Sequence, residues 1–181
     1  KIKIKNGYIV ASAQNGLKGA SIKFSKLSVG ATENTLIASC FANGKTKLRN
    51  CATEPEVIDL VNFLKKIGCK IKWVGNRGLD ILGIDNFKST SYKIISDRIE
   101  AGTYMIASAI TGGNLKIKNI EAKYISTEID LLRKMGISII LKNTYIIVKG
   151  PKKIKRINLS TKPYPGFPTD LQAQIMALMT K

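Results

Sequence analysis

Leu36-Ile37-Ala38-Ser39-Cys40-Phe41-Ala42-Asn43-Gly44 recurs as Met105-Ile106-Ala107-Ser108-Ala109-Ile110-Thr111-Gly112-Gly113, its Ile-Ala-Ser triplets 69 residues apart. Lys47-Leu48-Arg49-Asn50 matches Lys116-Ile117-Lys118-Asn119 at the same offset, and Leu64-Lys65-Lys66-Ile67-Gly68 matches Leu132-Arg133-Lys134-Met135-Gly136 at 68. A fixed period of this length marks a repeated supersecondary unit. The spacing predicts one unit as strand (Ser21–Phe24), helix (about Ala31–Ala42), strand (Thr46–Arg49), helix (about Pro55–Ile67) and two strands (Lys70–Val74, Leu79–Leu82). Val57, Leu60, Val61, Leu64 and Ile67 recur at three and four, the helical period. Thr53 and Glu56 read as a capping box, with Pro55 in the first turn and Gly68 at the exit.

Working outward, a second unit runs from about Tyr92–Ser96 to Lys149, its first helix opened by Asp97 with Glu100 three residues on. A third starts at Ile157-Asn158-Leu159-Ser160, and its helix opens at Pro168-Thr169-Asp170. The first twenty residues read as the hairpin end of another unit. The fold class is α/β, built from βαβαββ repeats. A chain of two whole units, a tail and a head reads as a fragment of a longer repeat protein.

The 181 residues are 44% hydrophobic, enough for one fair-sized domain or two small ones. No apolar run reaches the roughly 18 residues that span a bilayer, and no secretory leader is visible. Three cysteines and no histidine disfavour zinc sites and Ser/His/Asp or Cys/His nucleophiles. No metal and no cofactor is expected. Cys40, Cys51 and Cys69 read as packing residues in a reducing cytoplasm. The formal charge is +18, but 25 of the 30 basic residues are lysines alternating with apolar residues on strands. This pattern fits solvated strand faces better than a nucleic-acid surface. A basic binding module would need its cations focused on one face.

Ser28-Val29-Gly30 lies in a loop feeding a helix, where free amides and the positive dipole end suit a phosphate. Ser28 as cap and Gly30 as turn former explain the same residues. Asp170 or Thr169 reads as a helix cap after Pro168. Glu54 and Glu56 read as first-turn acids.

Four stretches carry a resemblance: Lys26-Leu27-Ser28-Val29-Gly30-Ala31-Thr32, Asn50-Cys51-Ala52-Thr53-Glu54-Pro55-Glu56, Asp97-Arg98-Ile99-Glu100-Ala101-Gly102-Thr103 and Pro163-Tyr164-Pro165-Gly166-Phe167-Pro168-Thr169-Asp170-Leu171-Gln172-Ala173-Gln174. In this order they resemble the UDP-N-acetylglucosamine 1-carboxyvinyltransferase family of enolpyruvyl transferases. The last segment is highly specific. The resemblance implies two domains of three βαβαββ units each, with residues 1–95 closing the first and 96–181 opening the second. It implies transfer of the enolpyruvyl group of phosphoenolpyruvate to the 3′-hydroxyl of UDP-N-acetylglucosamine, with release of phosphate, in the bacterial cytoplasm. That is the first committed step of peptidoglycan synthesis.

By the same resemblance Lys26, Leu27, Ser28, Val29 and Gly30 meet the uridine diphosphate, and Asp170 is the base that takes the sugar hydroxyl's proton. Arg98 and Glu100 lie beside the expected hinge, where they read first as capping and ion-pair residues and second as residues that pair across the cleft as it closes. The family's proton-donor loop (Cys or Asp) and most of its phosphoenolpyruvate-gripping residues have no match in this chain. The 181 residues are therefore expected to be inactive alone. The partners implied are the two substrates and, as a companion chain, the missing portions of the enzyme. No membrane partner is expected. The alternatives are a 5-enolpyruvylshikimate-3-phosphate synthase-like transferase, from which the Phe167–Gln174 run points away, and a non-catalytic basic nucleic-acid-binding module.

Overall fold

The computed structural model describes residues 1–181, which divide into two compact units, Lys1–Lys93 and Ile94–Lys181. In the first, strands β1 (Ile2–Lys5) and β2 (Tyr8–Ala11) pair antiparallel. Asn6 and Gly7 turn this hairpin with φ of 51° and 79°, the left-handed pair a two-residue turn requires. Then come β3 (Ser21–Lys23), α1 (Val29–Cys40), β4 (Lys45–Arg49), α2 (Pro55–Lys66), β5 (Lys70–Val74) and β6 (Gly78–Leu82). The four later strands form a sheet in the order β3-β4-β6-β5, with β3 parallel to β4 and the other pairs antiparallel.

The sheet has one apolar face and the two helices cover it. Leu48, Ile71, Leu79 and Ile81 alternate with polar residues along the strands, and all four are buried. Leu36 and Cys40 of α1 and Val61 and Leu64 of α2 pack on them. Burying each large aliphatic side chain contributes about 1.5–3 kcal/mol. All three cysteines are buried and unbridged. Burial pushes the thiols of Cys40 and Cys51 up. In Cys40 the neighbouring Cys69 adds to the shift.

The second unit holds α3 (Arg98–Thr111), β7 (Asn114–Lys118), a 3-10 turn (Ala122–Tyr124), α4 (Ser126–Lys134), β8 (Ser138–Leu141), β9 (Tyr145–Lys149), another 3-10 turn (Thr169–Leu171) and α5 (Gln172–Met179). Its sheet runs β7-β9-β8, all antiparallel. Met105 and Ala109 of α3, Ile129 and Leu132 of α4 and Leu171, Ile175 and Leu178 at the α5 end share one core with Ile146 and Val148.

The repeat is written in the backbone. Asn50 and Asn119 end β4 and β7 with φ of 60° and 61°. Gly68 and Gly136 follow α2 and α4 with φ of 110° and 94°. Asparagine tolerates the left-handed region and glycine enters it without strain, so both residue types recur where the chain needs them.

The structure departs from the expected elements in three places. Residues 92–96 and 157–160 form no strand, so the second unit lacks the counterpart of β3. In the first unit Gly19 lets the chain close on β4: a Cβ there would lie 2.4 Å from the Lys45 carbonyl oxygen. Residues 88–96 contain no glycine to allow such an approach. Second, α2 is capped at Glu54 rather than Thr53, without a side-chain cap bond. Pro55, whose missing amide costs nothing at the first helical position and whose φ is already helical, starts the helix itself. Third, the helix expected from Pro168 begins as a 3-10 turn, and neither Thr169 nor Asp170 caps it.

Candidate functional site

Ser28 is the N-cap of α1. Its backbone is extended (φ −148°, ψ 121°) and its hydroxyl accepts from the Ala31 amide at 3.2 Å. Thr32 ties this helix start to the next loop. Its buried hydroxyl donates to the Ser28 carbonyl at 2.8 Å and accepts the Ala52 amide at 3.0 Å. With Ala31 engaged by the cap, the amides of Val29 and Gly30 point out of the first turn, where helix geometry offers no internal acceptor. Gly30 is exposed and a Cβ there would meet nothing within 4 Å. The fold therefore does not require glycine at this position. What glycine adds is bare backbone, which a phosphate can approach closely. Lys26 is exposed two residues before the cap, and Leu27 is half-buried beneath it.

Carboxylates stand behind this helix end. The Glu33 carboxyl is pushed above its ordinary range, first by burial and then by repulsion from Glu56 and Glu54. A carboxyl whose folded pKa is raised stabilises the fold only while protonated, and that contribution is lost as pH rises through the raised value. Glu33→Gln should therefore raise the thermal midpoint at pH 7. The gain should shrink as pH falls through the acid range, where the wild-type carboxyl takes up its proton. Thermal melts of both proteins across that range check it. A gain unchanged with pH would show that charge is not the cause.

In the second unit Asp97 caps α3, accepting the amides of Ile99 at 2.8 Å and Glu100 at 3.0 Å. Glu100 is exposed and lines an open cavity of about 450 Å³ with Ser96, Asp97, Tyr104, Lys116 and Lys118. Arg98 turns inward. It is 6% exposed, its Nη1 lies 3.6 Å from Oε1 of buried Glu128, and its guanidinium lies 5.6 Å from the centre of the Tyr164 ring. It thus grips the loop that carries Asp170.

That loop is held at three further points. The Thr127 hydroxyl donates to the Pro165 carbonyl at 2.5 Å. Leu171 seats against Gly102, where a Cβ would come within 2.5 Å of Leu171 Cδ1. The Gln174 amide donates to the Thr103 hydroxyl at 3.0 Å. Between these anchors Asp170 is exposed.

Arg98, Glu100 and Asp170 thus belong to one unit, and the Arg98 and Asp170 segments are bolted together there. Lys26 to Gly30 belong to the other unit. Sequence reasoning did not find Gly102, Thr103, Thr127, Glu128 or Tyr164 as supports. The available signal was that the 97–103 segment and the highly specific 163–174 segment fall in one unit, as mutual docking would produce. No group of three or more His, Cys, Asp or Glu side chains is placed to hold a metal ion.

Comparison with known proteins follows the same lines. The family model for EPSP synthase (3-phosphoshikimate 1-carboxyvinyltransferase) matches residues 1–181. A UDP-N-acetylglucosamine 1-carboxyvinyltransferase of Pelagibacter ubique (strain HTCC1062) is 59% identical over 181 residues, which are 100% of this chain and 43% of that protein. One of the same name from Geotalea uraniireducens (strain Rf4) is 46% identical over 178 residues, 98% of this chain and 42% of that one. The chain therefore spans less than half the length of these curated relatives. Among solved structures, the enolpyruvyl transferase NikO from Streptomyces tendae superposes with a TM-score of 0.88, covering 99% of this chain and 46% of that one at 21% identity. At that identity the likeness is one of fold.

Proposed function

The chain belongs to the family of EPSP synthase (3-phosphoshikimate 1-carboxyvinyltransferase), and from that premise we propose that it supplies the sugar-nucleotide half of an enolpyruvyl transfer from phosphoenolpyruvate to the 3′-hydroxyl of UDP-N-acetylglucosamine. Within the family, the 59% identity to a relative of that name favours this acceptor over shikimate 3-phosphate. The observation that carries the reading is the start of α1, where a capped helix end with two outward amides and an unhindered glycine is flanked by Lys26. The dipole and these amides suit the diphosphate. In the other unit Asp170 takes no part in capping and stands exposed on an anchored loop, as a general base for a sugar hydroxyl must.

In this reading the Lys1–Lys93 unit is the closing part of one family domain and Ile94–Lys181 the opening part of the next. Attack of the deprotonated 3′-oxygen on C2 of phosphoenolpyruvate forms the new C–O bond. The C3 carbon takes a proton; phosphate then leaves C2 as C3 gives up a proton, and the double bond reforms. Asp170 supplies only the first proton removal. The donor to C3 and the grip on phosphoenolpyruvate belong to the rest of the family length. The setting is the bacterial cytoplasm and peptidoglycan synthesis.

Two outcomes test this. The 181-residue chain, given both substrates, should release no phosphate above background, and a steady release would refute the division of labour. UDP-N-acetylglucosamine should bind the chain and resist competition by shikimate 3-phosphate. Displacement by the shikimate ester would favour the sister reaction.

A further inference from the structure

The four-stranded sheet of the first unit has a second face that the sugar-nucleotide reading does not use. Register and alternation place Lys45, Lys47 and Arg49 of β4, Lys70 and Lys72 of β5 and Lys23 of β3 on that outer side. Asp80 is the one carboxylate among them. It bonds Lys45 at 2.8 Å and Arg49 at 3.0 Å, and these partners hold its carboxyl below the usual range. Lys23, Lys47, Lys70 and Lys72 remain exposed around it. Four of the unit's carboxylates, Glu33, Glu54, Glu56 and Asp59, belong instead to the helical layer and its entry loop. The sheet face thus holds six cations to one carboxylate, whereas the helical layer sets its four carboxylates beside Lys65 and Lys66 at the end of α2.

We infer that this outer face is a docking surface for an anionic lipid bilayer. Six cations on a four-stranded sheet make a broad array of point charges, not a groove. Lysine lacks the planar fork that fixes a phosphate bidentately, so the array suits a surface of mobile headgroups. The outer face carries no aromatic side chain on which nucleic-acid bases stack. Leu82 and Val74, exposed 41% and 39%, sit at its rim and can enter the headgroup layer. The second unit's sheet face is different: Ile140, Ile147 and Tyr145 interrupt Lys116, Lys118 and Lys149. The expectation of no membrane partner rested on the absence of a spanning segment, which peripheral docking does not need. Each lysine near an anionic surface strengthens attachment roughly fivefold, and salt weakens it.

The test is sedimentation of the 181-residue chain with vesicles of phosphatidylglycerol and phosphatidylcholine, against vesicles of phosphatidylcholine alone. The expected result is partition to the anionic vesicles only, falling by at least about tenfold between roughly 0.05 and 0.5 M salt. Lys23→Gln/Lys47→Gln/Lys72→Gln should lower it by at least about tenfold. Lys142→Gln/Lys152→Gln/Lys153→Gln, with the same net charge, should leave it nearly unchanged. Circular dichroism establishes that both variants fold, and the salt series on the unaltered chain decides if the first does not. Three results would overturn the proposal: no partition to anionic vesicles, equal loss in both variants, or stripping of the chain from vesicles by duplex DNA at equal phosphate.

Discussion

Arg98→Met should cost the second unit about 3–5 kcal/mol, because it leaves the Glu128 carboxylate buried without its guanidinium. Breaking one side of a buried pair costs more than the pair is worth intact. The double variant Arg98→Met/Glu128→Leu should therefore recover most of the loss. Tyr164 loses its cationic partner in both, so the loop bearing Asp170 should loosen even where the helices recover. Urea unfolding measures the first effect, and amide exchange at residues 164–171 the second. A single-variant loss below about 1 kcal/mol would mean that the pair is solvated in solution.

The second large effect concerns chemistry. With the chain joined in one reading frame to the flanking portions of the Pelagibacter relative, Asp170→Asn should lower kcat by roughly 10²–10⁴. The amide keeps the size of the carboxylate and its hydrogen-bonding reach but cannot accept a proton. KM for UDP-N-acetylglucosamine should then change only a few-fold, since the lost interaction acts in the transition state. Steady-state phosphate release gives both parameters. A kcat within tenfold of the unaltered enzyme would assign proton removal elsewhere.

The βαβαββ period was legible because the same physics recurs 68 or 69 residues apart. Leu64 and Leu132 face cores at matching places, Gly68 and Gly136 end matching helices, and Asn50 and Asn119 end matching strands. Local patterns of this kind reach as far as elements and caps. The missing β3 counterpart was not legible, because pairing with β4 depends on a close approach at Gly19 that periodicity does not encode. The cap of α2 differs from its sequence pattern for a local reason: Thr53 fits the capping pattern, but Pro55 starts the helix one residue later.

For the site, the residues of the α1 start were readable as a helix end suited to an anion. That Ser28 caps while Gly30 stays sterically idle required coordinates. Arg98 reads in sequence first as a capping or ion-pair residue and second as a residue of the hinge, but its partner is not named there. Its inward turn to Glu128 depends on α4, some 30 residues away, and no spacing within 97–103 signals it.

The proposed function rests on UDP-N-acetylglucosamine being bound through the amides of Val29 and Gly30. A titration of the ¹⁵N-labelled chain with that ligand, followed by amide chemical shifts, tests it most directly. The expected result is that the Val29 and Gly30 amides shift together along one saturation curve. Saturation that leaves both amides unmoved would contradict it.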